Sequence, residues 1–192
     1  CNPTTTTSTS STSSTTTTTT TVIPECIGDY DIGQRRDGGT VAYILQSGDR
    51  GYDVSLTQGY IATVLDLADA EWGCINVLIS GADGTALGTG NQNTIDIMAG
   101  CATAGIAARL CGDLVQGGFS DWYLPSKDEL NKLYLNQVAI GGFVGTNYWS
   151  STEVDADSAW NQNFTNGVLG DGDKIAVLSV RAIRSFTCSI VP

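Results

Sequence analysis

Apolar and polar positions divide this chain into a leading tract with no pattern and a remainder patterned as short elements. Thr40-Val-Ala-Tyr-Ile-Leu45, set off by Gly38-Gly39, reads as a strand, and Tyr60-Ile-Ala-Thr-Val-Leu65 as a second. Residues 47–59 between them are turn-rich. Residues 80–93 mix Gly with Asp83, Asn91 and Asn93 and predict a long surface loop. Asn93 is placed to cap a short helix through Ala99, and Thr103 to Val115 predicts a second helix. The clearest local signal is Pro125-Ser126-Lys127-Asp128-Glu129. Ser126 with Glu129 three residues on is a capping box, and Leu130, Leu133 and Tyr134 give the helix that follows one apolar face. Beyond Gly141-Gly142 come strands at Tyr148 to Ser151, Ala159 to Thr165 and Ile175 to Phe186. Two strands, then helices, then strands predict an α+β fold with short, mostly antiparallel strands, not a βαβ repeat.

The leading tract is Thr4, Thr5, Thr6, Thr7, Ser8, Thr9, Ser10, Ser11, Thr12, Ser13, Ser14, Thr15, Thr16, Thr17, Thr18, Thr19, Thr20 and Thr21. Such a run buries too little apolar surface to offset chain entropy and predicts no fold of its own. The organisation is therefore an extended arm or stalk over residues 1–21 and a globular domain over 22–192. Three roles fit the arm: a flexible stalk, an O-glycosylated stalk with these hydroxyls as acceptors, or an extended arm held by another subunit. At about 3.3 Å per residue it reaches roughly 60 Å. An arm that always docks on the next copy is a head-to-tail contact, and such contacts build filaments when they do not close.

Composition then removes whole classes of function. The net charge is −11, and residues 1–21 contribute none of it. Sixteen Asp and four Glu against nine basic residues repel phosphate backbones, which argues against nucleic acid as a partner. The absence of His rules out Ser-His-Asp and Cys-His catalysis and the usual zinc sites. No apolar run approaches the length of a membrane span. No spacing singles out a pair of carboxylates for glycoside hydrolysis, and the chain reads as a non-enzyme. Calcium is the one metal the composition favours. Its candidate ligands are Glu153, Asp155 and Asp157 in one cluster and Asp171 and Asp173 in another, without EF-hand spacing.

Six Cys in an acidic, Gly-rich chain point to an oxidising compartment. Cys1, ahead of a polar stretch, resembles the lipid-bearing Cys of a bacterial lipoprotein and is the lipidation candidate. Among the remaining five, Cys26 and Cys188 flank the domain and pair first as a clasp, because domain termini often lie close together. Cys74 and Cys101 follow as a loop staple, with Cys111 left as a buried thiol. Two pairs drawn from five Cys allow fifteen arrangements, so this pairing is one choice among them.

Several motifs then combine. Gly118-Phe-Ser-Asp-Trp-Tyr-Leu-Pro-Ser-Lys-Asp-Glu-Leu130, Tyr148-Trp-Ser-Ser-Thr-Glu153, Ala159-Trp160 with Phe164 and Gly167, and Val180-Arg-Ala-Ile-Arg184 resemble the Lcl C-terminal domain family. Upstream, Gly38 to Gln46 and Glu71 to Cys74 are similar to that family too. The resemblance implies a compact fold related to C-type-lectin-like and formylglycine-generating-enzyme-like domains, with export and use in adhesins or surface fibres. It supplies no catalytic residue and no cofactor. Within the motifs, Trp122, Leu124, Trp149 and Trp160 read as core, and Pro125, Ser126 and Glu129 as the helix start. Asp121 reads as an acceptor for backbone N–H groups at that start. Arg181 and Arg184 read as partners in internal ion pairs with Glu129, Glu153 or Asp121. The leading expectation is an extracellular structural subunit whose partners are copies of itself. The alternative is a lectin-like adhesin that binds surface glycans from an O-glycosylated lipoprotein stalk.

Overall fold

The computed structural model describes residues 23–28 and 30–189, so Cys1 and the Ser/Thr tract lie outside the described residues. Among the described residues, two antiparallel sheets and four short helices make an α+β domain. The first sheet has the order β1 (Arg35–Arg36), β2 (Gly39–Ile44), β3 (Leu56–Ala62), β7 (Ile183–Ser189). The second is a meander of β4 (Asn147–Glu153), β5 (Ser158–Asn163) and β6 (Leu169–Asp173). Between the sheets in sequence lie α1 (Gly90–Gly100), α2 (Ala107–Gly112), α3 (Lys127–Leu135) and α4 (Gln137–Ile140).

β2 is buried along nearly its whole length because α3 and α4 pack on it while β3 covers its edge. That is why its sequence is continuously apolar and not alternating. β3 starts four residues earlier than its apolar run: polar Thr57 and Gln58 are held in the ladder by Cys188 and Thr187 of β7. β6 is the acidic Gly170-Asp-Gly-Asp173 stretch, paired with β5 over five residues, and its Gly content hides it from an apolar pattern. The predicted strand from Ile175 is strand only from Ile183. The residues before it cross between the sheets, bridging Leu178 to Ala70 and Ser179 to Tyr148.

Among the helices, α3 carries the predicted capping box complete: Ser126 accepts from Glu129 N, and Glu129 reaches back to Ser126 N. α1 differs from expectation. Thr89 is its N-cap, and Asn93 is buried within it, donating to Gly84 O at 2.7 Å and Ser151 Oγ at 3.2 Å. α2 is only six residues long: Gly105 at φ 72° and the extended Ile106 keep the helix from starting earlier, and its Arg109 turns back to bond the carbonyls of Met98, Cys101 and Thr103.

Three indoles tie the layers together. Trp72 donates to Ser150 O at 3.0 Å, Trp149 to Ala70 O at 3.0 Å and Trp122 to Gln116 O at 3.4 Å. All three are buried in one cluster with Ile97, Ile106, Leu124 and Val180. Each thus adds a large apolar contact and satisfies its own N–H on a backbone carbonyl. Trp160 does not join them. It is half-buried, with the Lys127 ammonium 5.4 Å from its ring.

Candidate functional site

The feature that stands out is the outer edge of β7, where the two ends of the domain meet. β7 pairs with β3 along its full length, from Ile183↔Ala62 to Ser189↔Leu56. Ile183 sends both backbone groups the other way, exchanging bonds with Tyr123 at 2.8 and 3.0 Å. Ser189 does the same, donating to Pro24 O at 2.8 Å and accepting from Cys26 N at 3.1 Å. By the two-residue period of a strand, the N–H and C=O of Ser185 and Thr187 also point outward. No hydrogen bond to either of these backbone positions from that side occurs among the described residues.

The N-terminal segment is fastened to this edge covalently. Cys26 and Cys188 form a disulfide with Cα atoms 5.0 Å apart, and Glu25 bridges Ser189, so residues 24–26 lie directly beside β7. Cys74 and Cys101 form the second disulfide, and Cys111 is a free, buried thiol whose pKa burial pushes up, which makes it a poor nucleophile. A cleft of about 310 Å³ follows the β7 edge from Phe119 to Pro24. Its walls are stiff. Tyr30 stacks on Phe186 with centroids 4.3 Å apart, and Arg36 lies over Tyr30 at 3.6 Å. Arg184 grips Asp121 through two bonds of 2.7 and 2.8 Å while lying over Phe119. Asp121 therefore serves Arg184 and not the start of α3, since its carboxylate points to the β7 edge.

A second cleft, of about 240 Å³, reaches Tyr60 and Tyr123. Their hydroxyls face Glu129, a fully buried carboxylate that is no ion-pair partner of an arginine. Glu129 Oε1 accepts from Gly88 N and Oε2 from Ser126 N, both at 2.8 Å. Burial raises its pKa, and the bonds from Ser126, Gly88 and Tyr60 oppose that rise. Gly90 leaves the room: a Cβ there would collide with Glu129 Oε2.

The remaining motif charges find partners far away in sequence. Arg181 bonds Asp66 at 2.8 Å and Thr63 O at 2.6 Å, and Tyr148 donates to the other Asp66 oxygen at 2.7 Å. Glu153 pairs with Lys174 at 2.5 Å, both buried, and takes Ile79 N on its two oxygens at 2.9 and 3.0 Å. This corrects the reading of Glu153 as a calcium ligand, since its oxygens are spent on Lys174 and a backbone amide. Asp155 is occupied by the amides of Asp157 and Ser158 and by the Ser158 hydroxyl, and the first of these chiefly lowers its pKa. Asp157 accepts from Asn76 N, and Asp171 and Asp173 lie exposed on β6. Among the described residues no three acidic or Cys side chains converge as a metal site. Asp66, Lys174, Tyr30 and Phe186 carry this architecture and show no sequence signal, because each acts on a partner 20 or more residues distant, except Tyr30 in its bond to Asp37.

Comparison with known proteins bears on the middle and end of the chain. The Lcl C-terminal domain model matches residues 80–184, more than half of the 192 residues. No curated protein matches. A crystal structure of a fimbrial protein from Bacteroides ovatus ATCC 8483 is similar over 67% of this chain, at 15% identity and a TM-score of 0.49, and this chain covers 35% of that one. No helix among the described residues is long and apolar enough to cross a membrane.

Proposed function

Because the chain belongs to the Lcl C-terminal domain family, and its motifs here build caps, walls and ion pairs, we propose a structural role at the cell surface. The domain is the repeating bead of an extracellular fibre, and residues 1–21 are the connector to a neighbouring copy. Packing and backbone pairing do the work in place of chemistry. One observation carries this reading: the segment leading out of the tract is disulfide-bonded to β7, a strand paired over seven residues to the middle of the first sheet. A pull on the arm is thus delivered to the longest ladder of that sheet, as a link under tension requires. The tract itself is uncharged, so the acidity of a neighbouring domain does not repel it.

Deleting residues 1–21 tests this. The truncated chain should keep the circular-dichroism spectrum and melting temperature of the parent and appear in negative stain only as discrete particles. Fibres of normal length from the truncated chain would overturn the proposal.

A further inference from the structure

Among the described residues, the outward backbone of β7 is occupied at Ile183 and at Ser189 and open between them, at Ser185 and Thr187. The side chains of both open residues are exposed. The chain's own N-terminal segment, continued along β7, would leave Thr187 O without a donor. Glu25 bridges Ser189 in parallel, so the next step of that ladder would have residue 24 donate to Thr187 O. Residue 24 is Pro, which has no N–H. An open stretch of strand backbone beside a rigid cleft invites an added strand.

We propose that this edge is the acceptor for the Ser/Thr tract of a second copy, which adds a short strand across Ser185 and Thr187. The proposal rests on the fibre reading above and names its contact. The tract suits the position on four counts. It is rich in β-branched Thr, contains no Pro from Thr4 to Thr21, carries no charge, and precedes in sequence a segment tied to its own domain's β7 edge. Its reach of roughly 60 Å exceeds the diameter of a domain this size, about 40 Å, so it spans to the corresponding edge of a neighbour. A run of near-identical residues also has no fixed register, so several stretches of the tract fit one acceptor.

The test uses the full chain. Thr187→Pro removes the outward N–H and sets a ring in the opening, yet leaves the β3 ladder intact because the Thr187 amide points away from β3. Thr187→Ala keeps the backbone and loses only the side chain. Thr187→Ala should polymerise as the parent does, and Thr187→Pro should stay as particles with an unchanged spectrum. Equal filament yield from Thr187→Pro would overturn the assignment. Hydrogen exchange on the parent protects the test if that variant fails to fold. The Ser185 and Thr187 amides should slow at least tenfold on polymerisation, in step with protein concentration. Protection independent of concentration would mean that each chain fills its own edge, and no protection in filaments would place the contact elsewhere; either sinks the proposal. A full chain with every second tract residue changed to Pro separates the two readings. Filaments from it refute the connector role itself, whereas their loss beside polymerising Thr187→Pro refutes only the acceptor.

Discussion

At the scale of single residues, Glu129 is the most informative position. A buried carboxylate beside two tyrosine hydroxyls and two backbone amides is held by hydrogen bonds and not by a counter-charge. Burial makes its folded pKa higher than the ordinary glutamate value of 4.5. Its contribution to stability is therefore complete below pH 4.5 and declines as pH rises through the raised folded value. Asp49 runs the opposite way. Burial alone would raise its pKa, but the bonds from Tyr43, Gln46 and Lys132 bring it below the usual range, so its contribution is lost on acidification. Glu129→Gln should destabilise the domain by about 1–3 kcal/mol at neutral pH, because one of the two amides then meets an NH₂ group. It should also remove part of the decline in stability between pH 4.5 and neutrality. Urea midpoints across that interval read both effects, and a variant with the parent's full slope would show that Glu129 does not titrate there.

At the scale of elements, the Glu153–Lys174 pair joins the end of β4 to the residue after β6. Through Val77 O and Ile79 N it also pins the loop before α1. Both ends are out of water, so removing one leaves an unpaired buried charge. Lys174→Met should cost about 3–5 kcal/mol. Adding Glu153→Gln should recover a large part of that loss, since Gln keeps an acceptor for Ile79 N without the charge. Chemical denaturation of the two single variants and the double decides it; a strictly additive double variant would mean the two side chains are not coupled. The same pair shows where sequence reading stops. Ser126 and Glu129 are three residues apart on one helix turn, so their capping box is legible from spacing alone. Glu153 and Lys174 are 21 residues apart and meet only once the β4–β5–β6 meander has formed. Before that, Glu153 is one more acid in an acidic stretch, which is why it reads as a metal ligand. Arg181 is the same case at greater range: its acid, Asp66, is 115 residues away, whereas nearer acids in the motifs serve other groups. β6 was hidden for a related reason, since its strand character comes from pairing with β5 and not from its own Gly and Asp residues.

At the scale of the whole molecule, both ends of the proposed linkage fall on one strand. The arm enters at Cys26, and the disulfide carries its load to Cys188. The acceptor positions, Ser185 and Thr187, lie three residues and one residue from Cys188 on the same strand. Tension along a fibre would therefore cross each bead through a few residues of β7 and bypass the rest of the domain. The disulfide closes a loop with a sequence separation of 162, so its loss should cost stability as well, about 2–5 kcal/mol. The mechanical consequence is the sharper one. In the Cys26→Ser/Cys188→Ser variant the load path between Cys26 and β7 runs through the whole fold, and a pulled fibre must peel the domain open from its N-terminal side. Each bead should then release about 550 Å of chain, the extended length of the residues between the two cysteines. Force spectroscopy on parent fibres should show detachment without these extensions, and on the variant a regular series of them. Domain extensions of that length in fibres with the disulfide intact would mean that the load does not pass along β7.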